Sequence, residues 1–280
     1  MFVLFLLPSD YFLFLRFFAL RLFNAMNKIK QIAVAAAKEA GGALLGEYEN
    51  FDRGTVKLKA HHEIITKADL LSEKIIINKI KNNFPDHGIL SEESGRTKSK
   101  SDFLWIIDPL DGTTNFSMHN PLWCVSIGLA RGREVVLGVI YAPFLGELYV
   151  AEKGRGATRN GKKIKVSARA KKALHTFCHG REDGHIKKAL KYYRRQKLNE
   201  LDCRQMGSAA IELAYVAGGR TESLMIPGVN SWDVAAGALM AREAGGKVTD
   251  FNGRKWSLDS KDILASNGKI HKELLRTINK

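Results

Sequence analysis

Asp108 and Asp111 stand three residues apart at the end of an apolar run, inside the stretch WIIDPLDGTTNF that spans Trp105 to Phe116. Two carboxylates held that close repel unless a proton or a cation lies between them. Hard oxygen ligands of this kind suit Mg²⁺, which is commonly held by one or two carboxylates together with waters and phosphate oxygens. Gly112, Thr113 and Thr114 follow, and a glycine-opened turn leading into a helix exposes backbone N–H groups that can cradle a phosphate. Taken alone, the same residues read equally well as a plain Asp-Gly turn with Asp108 capping a strand end, so the pattern needs partners elsewhere in the chain.

Four other acidic residues, at three places in the chain, are candidates. Glu92 and Glu93 lie in SEES, after a short extended run and before a polar loop. Asp69 follows Thr66 by three residues in TKAD, which also fits a helix capping box. Asp233 follows Trp232 at the start of a helical pattern, where the helix dipole favours a carboxylate whatever its role.

The elements that must position these groups are legible as periodicity. Ile29, Ile32, Ala36, Ala40 and Leu44 recur at helical spacing and predict a helix from Met26 to about Glu49. A second helix is predicted from Lys67 to Phe84. GILSEES reads as extended until the turn at Gly95. FLWIID reads as a buried strand, WCVSIGLARGREVVLGVIYAP as two strands joined by Arg-Gly-Arg, and ELYVAEKGRGATRNGKKIKVS as a further pair with a turn at Asn160-Gly161. In the second half, helical SAAIELAYVAGG precedes the apolar TESLMIP, and helical SWDVAAGALMAREAGG precedes KVTDF. Helices and strands in succession predict a layered α/β fold.

Length and composition set outer bounds. At 280 residues the chain can bury a large core. Cys124, Cys178 and Cys203 are odd in number and lack metal-ligand spacing, which supports neither a disulfide framework nor a zinc site and suits a reducing cytoplasm. The histidines, among them His61, His62 and His119, also lack ligand spacing and are assigned to surface or structural roles. The formal net charge is +15, and the segment from Glu152 to Arg204 holds 17 Lys/Arg against five Asp/Glu. A solvated basic face is the expectation for it, with nucleic acid as the lesser alternative, because no RNP, KH or helix-turn-helix signature accompanies the charge. Residues 1–25 carry seven of the 14 phenylalanines. Pro8, Asp10, Arg16 and Arg21 interrupt that segment, so stable membrane insertion is not expected, and translation starting at Met26 is preferred to a membrane anchor. The domain reading is an apolar extension over 1–25, an α+β half over 26–160 with most of the acidic candidates, and an α/β half over 161–280 with Asp233.

Together, SEES, WIIDPLDGTTNF and SWDVAAGALMAREAGG, in that order, resemble the inositol monophosphatase family of Mg²⁺-dependent, lithium-sensitive phosphatases. The resemblance covers Met26 to the C-terminus and leaves out residues 1–25. It implies an αβαβα sandwich of the inositol monophosphatase and fructose-1,6-bisphosphatase type. It implies two or three Mg²⁺ per site, with Glu92, Asp108 and the Leu110 carbonyl on the first and Asp108, Asp111 and Asp233 on the second. Asp69 and Thr113 fall on the family's water-orienting pair, with Glu92 beside them as a catalytic group. Gly112-Thr113 falls on its phosphate-binding turn, and Gly207-Ser208-Ala209, with Asp111 and Asp233, on its substrate contacts. The implied reaction is direct attack of water on a phosphate monoester, without a phosphoenzyme. A homodimer acting on a small phosphorylated substrate is the implied assembly.

One departure concerns the substrate. Inositol-selective members carry a glutamate seven residues before the motif aspartate, and that position is Ile226 here. Inositol 1-phosphate is the expected substrate, with fructose 1,6-bisphosphate, 3′-phosphoadenosine 5′-phosphate and histidinol phosphate as alternatives. A nucleic-acid-binding regulatory protein on the same scaffold is the alternative of another class.

Overall fold

In the computed structural model of the chain, residues 9–52, 57–58, 64–171 and 173–279 are described, the side chains of 9–23, 57, 58 and 64 excepted. His61 and His62 lie outside them.

The first helix, α1 (Ser9–Glu49), starts earlier than the apolar periodicity from Met26 predicts. No glycine or proline occurs between Ser9 and Met26, so nothing stops a formed helix from propagating. Of the predicted face, Ile29, Ala36, Ala40 and Leu44 are buried and Ile32 is half-buried, while Ala33 beside them is wholly buried. Helix α1 packs on α2 (Lys67–Asn83). A two-residue ribbon, β1 (Lys57–Leu58) and β2 (Ile64–Ile65), lies between them in sequence.

These two helices cover one face of an eight-stranded sheet. Its strands are β3 (Gly88–Ser91), β4 (Gly95–Arg96), β5 (Phe103–Asp111), β6 (Cys124–Arg131), β7 (Glu134–Ala142), β8 (Glu147–Glu152), β9 (Gly156–Arg159) and β10 (Lys162–Lys163). The order is β10-β9-β8-β7-β6-β5-β3-β4, antiparallel except where β3 runs parallel to β5. The stretch read as one strand pair after Glu147 is three strands, because Gly154 supplies a second turn with positive φ. Short α3 (Thr113–Ser117) leaves the end of β5.

The second sheet has order β12-β11-β13-β15-β14, built from β11 (Leu174–Phe177), β12 (Asp202–Arg204), β13 (Ser223–Pro227), β14 (Lys247–Thr249) and β15 (Asp262–Ser266). Between the sheets lie α5 (Ala209–Ala217) and α6 (Ser231–Glu243). Their approach is close enough to require missing side chains. A Cβ on Gly138 of β7 would stand 2.7 Å from the Ala236 carbonyl oxygen, and one on Gly237 would stand 2.5 Å from Leu213 Cβ. The outer face of the second sheet is covered by α4 (Asp183–Leu198) and α7 (His271–Asn279). Neither helix stands out in the sequence as the apolar ones do, and α4 lies in the basic segment. The layers therefore run αβαβα, as expected.

Candidate active site

The two aspartates of the opening motif are aimed by an irregularity in β5. Asp108 pairs with Ser126 and Asp111 with Cys124, and the register shifts between them. Pro109 has no N–H to give the ladder, and a bulge of this kind bends a strand and re-aims its side chains. The turn is fixed by three hydrogen bonds. Leu110 N–H donates to Asp108 Oδ1 at 3.0 Å, Ser72 Oγ donates to the Pro109 carbonyl at 2.6 Å, and Thr113 Oγ1 approaches the Leu110 carbonyl at 3.0 Å.

Parallel pairing of β3 with β5 sets Ser91 opposite Ile107, and Glu92 N–H then donates to the Ile107 carbonyl at 3.1 Å. Glu92 thereby enters the neighbourhood of Asp108. The loop beyond it is tied down by Glu73 of α2, whose Oε1 accepts from Ser94 N–H and Oγ, both at 3.0 Å.

Asp69 caps α2 and does more. Its Oδ2 accepts from Thr66 N–H at 2.8 Å and Thr66 Oγ1 at 2.6 Å, completing a capping box, while its Oδ1 lies 3.1 Å from Thr113 Oγ1. The capping role and the pairing with Thr113 coexist. Burial pushes the Asp69 carboxyl up to about 6 against the lowering effect of the Thr66 hydrogen bonds. Asp233 completes a capping box at the start of α6, accepting from Asn230 N–H at 3.1 Å.

Asp111 lies against the N-terminus of α5. Ser208 Oγ and Ala210 N–H donate to its Oδ2, the latter at 2.8 Å, and Ala209 N–H donates to its Oδ1 at 3.2 Å. Cys124 Sγ is 3.7 Å from the same carboxylate, with its thiol pushed up by burial and by Asp111 and Asp108. Ser208 is the N-cap of α5 as well, accepting from Ile211 N–H. Gly207-Ser208-Ala209 is thus brought onto the motif.

Gly112 closes the turn with φ +91°, and a Cβ there would meet the Leu122 carbonyl at 2.7 Å. Only glycine combines that backbone with that contact. Asn115, one turn on, donates from Nδ2 to the Leu122 carbonyl at 2.7 Å and to the Met206 carbonyl at 2.8 Å, bridging the turn to the segment before α5.

The electrostatics decide what such a cluster can hold. Asp108 is fully buried, and burial followed by the charges of Glu92, Asp111, Asp233 and Asp69 drives its carboxyl well above the ordinary range. Asp111 is also raised by burial, against the lowering effect of its hydrogen bonds to Ser208 and α5. An all-oxygen set of this charge fits a divalent cation such as Mg²⁺. Among the described residues no three acidic, histidine or cysteine groups already surround one ion position. Asp111 has both oxygens on α5, and Asp69 has both on threonines.

Sequence reasoning missed four supporting residues: Ser72, Asn115, Cys124 and Glu212. Glu212 is fully buried in α5, and its Oε1 accepts from Met206 N–H at 3.1 Å and Gly207 N–H at 3.2 Å. Burial pushes it up to about 8. A lone acid in the alanine-rich run SAAIELAYVA was its only signal. Ile226 is 4 % exposed and packs in the core between the sheets, so no acceptor stands at that position.

The chain matches the family model described as "Inositol monophosphatase family" over residues 25–280. It is 40 % identical over 259 residues to the Nus factor SuhB of Pasteurella multocida, covering 90 % of this chain and 96 % of that protein. With the inositol-1-monophosphatase of Mesorhizobium japonicum the identity is 37 % over 260 residues, covering 91 % and 98 %. The crystal structure of extragenic suppressor protein suhB from Bartonella henselae superposes with a TM-score of 0.84 at 38 % identity, covering 90 % of this chain and 99 % of that one.

Proposed function

Because this chain belongs to the inositol monophosphatase family and is thereby a phosphoric monoester hydrolase, we propose that it hydrolyses inositol 1-phosphate by direct attack of water, with Mg²⁺ as cofactor. The observation that carries the reading is the crowding of Glu92, Asp111, Asp233 and Asp69 around fully buried Asp108. Glu92, Asp108 and the Leu110 carbonyl would hold one ion, and Asp108, Asp111 and Asp233 another. When bound, the metals offset the charge that develops on the attacking and leaving oxygens of an in-line displacement.

The chain's own groups do the rest. Thr113 Oγ1 has one proton and faces two acceptors, Asp69 Oδ1 and the Leu110 carbonyl. Its lone pairs are therefore left to accept from a nucleophilic water. Asp69, whose Oδ1 faces the Thr113 hydroxyl, can take up the Thr113 proton as Thr113 receives one from that water. The Gly112-Thr113 turn offers backbone N–H groups to the phosphate. Gly207, Ser208 and Ala209 line the approach of the alcohol portion and, through Asp111, fix it relative to the motif.

Ile226 bears on the choice of alcohol. An aliphatic side chain cannot accept from a sugar hydroxyl, and a site lacking that acceptor discriminates less between polyols. Phosphate release from inositol 1-phosphate, fructose 1,6-bisphosphate, 3′-phosphoadenosine 5′-phosphate and histidinol phosphate, with Asp108→Asn as blank, tests the reading. Preference for inositol 1-phosphate supports it. A tenfold preference for another ester replaces the substrate, and no Mg²⁺-dependent release from any of them overturns the site. We place the protein in the cytoplasm as a homodimer. Among the described residues no helix is long and apolar enough to cross a membrane.

A further inference from the structure

The basic segment resolves into two kinds of cation. Some are used inside the fold: Lys153 pairs with Glu134, Arg159 with Glu147, Lys188 lies 4.7 Å from the centre of the Phe251 ring, and Arg195 donates to the Thr277 carbonyl. Others lie along the outer side of α4. Ala189, Tyr192 and Gln196 are the buried residues of that helix, and they fix its inward face. Lys187, Lys191, Arg194 and Lys197 are exposed, and at 100° per residue they fall on or beside the opposite face. Leu190 is exposed there at 57 % and Leu198 at 71 %. No acidic residue occurs from Gly184 to Asn199. Among the described residues, none of the four cations has an ion-pair partner.

We propose that this outer face of α4 is a docking surface for single-stranded nucleic acid. Charge complementarity carries the choice. From Lys187 to Lys197 the helix rises about 15 Å, a basic track without an acidic residue that a phosphate backbone can follow. Tyr193, 37 % exposed and set 5.3 Å from Phe177 ring to ring, stands beside Arg194 as a platform on which a base can stack. A membrane fits less well, because an interfacial helix buries a continuous apolar face in lipid, whereas the apolar face of α4 is already packed on β12 and β13. The surface is also independent of the hydrolytic site. Met225 of β13 packs on the α4 side, while Leu224 and Ile226 pack toward α5 and α6.

The test is fluorescence anisotropy of a labelled 20-nucleotide oligouridylate and its oligothymidylate counterpart, titrated with the full chain from 50 to 200 mM salt. Four phosphate contacts give a log-log salt slope near −3, so affinity falls about 50-fold over that range. Lys187→Glu/Lys191→Glu/Arg194→Glu/Lys197→Glu should lose at least tenfold in affinity with phosphatase turnover unchanged, which also reports that it folds. If that variant does not fold, Lys187→Gln/Arg194→Gln should lose severalfold and reduce the slope. Lys162→Glu/Lys163→Glu, on the β9–β10 hairpin, should bind as wild type. The proposal is overturned if wild type does not bind at 50 mM salt, if the α4 variants bind unchanged, if the hairpin variant loses as much, or if vesicles with phosphatidylserine bind in preference to the oligonucleotides.

Discussion

Glu212→Gln should make the protein more stable, by an amount that grows with pH. Glu212 sits wholly buried in the first turn of α5, and burial holds its carboxyl at about 8 despite the Met206 and Gly207 N–H groups that favour the anion. In the unfolded chain the same group titrates near 4.3. Between those values the native state keeps a proton that the unfolded state has released, so the number bound is lower by one on unfolding and stability falls by about 1.4 kcal/mol per pH unit. Glutamate thus contributes most below its unfolded value and loses that contribution as pH rises through 8. Over pH 5 to 7.5 the loss is on the order of 3 kcal/mol. Glutamine has nothing to release, and its carbonyl can keep both N–H groups satisfied. Urea denaturation of both proteins at half-unit steps from pH 5 to 8.5, in metal-free buffer at constant ionic strength, gives the difference directly. It should rise steadily to about pH 8 and then level off. A difference that stays flat across this range would refute the buried-acid account of Glu212 and leave it as an ordinary capping group.

Three further outcomes follow from the site. Asp108→Asn should lower turnover by at least a thousandfold while leaving the urea midpoint equal or higher, since it removes a carboxyl that burial and four acidic neighbours disfavour in its ionised form; near-normal turnover in a phosphate-release assay would remove Asp108 from the metal set. Gly112→Ala should cost about 2–5 kcal/mol, from the left-handed backbone and the contact with the Leu122 carbonyl together, and calorimetry should show the melting temperature falling with activity. In metal-free protein the Asp69 carboxyl should titrate near 6 by carbon-detected NMR and move down when Mg²⁺ is added, with turnover declining as pH drops through the metal-bound value; a metal-free titration near 4 would mean that burial does not govern Asp69.

The motif residues were legible because their chemistry forces unusual sequence: Pro109 in a strand, glycine at positive φ, and acids clustered where apolar residues are the norm. The helices α5 and α6 were legible from their apolar runs and closing glycines. Helix α4 was not, because its outward face is lysine, arginine and two leucines while only Ala189, Tyr192 and Gln196 turn inward, a pattern too polar to announce a packed element. The continuation of α1 back to Ser9 was hidden for the opposite reason: a break in composition at Met26 is not a break in helix propensity.

The supporting residues were illegible on different grounds, since each acts across a long sequence separation. Asn115 joins the Gly112 turn to Met206, 91 residues away, and Ser208 joins α5 to Asp111 across 97. Glu212 then fixes the Met206-Gly207 backbone from beneath. These three contacts make one continuous strap from the carboxylate cluster to the segment proposed to meet the alcohol. A change in Glu212 that removes its acceptor oxygens, such as Glu212→Ala, leaves two buried N–H groups unpaired at about 1–3 kcal/mol each and loosens Ser208 against Asp111. Turnover should therefore fall in Glu212→Ala and persist in Glu212→Gln, although neither variant alters a residue that touches the phosphate. Equal activity in both variants would show that the strap does not position Asp111.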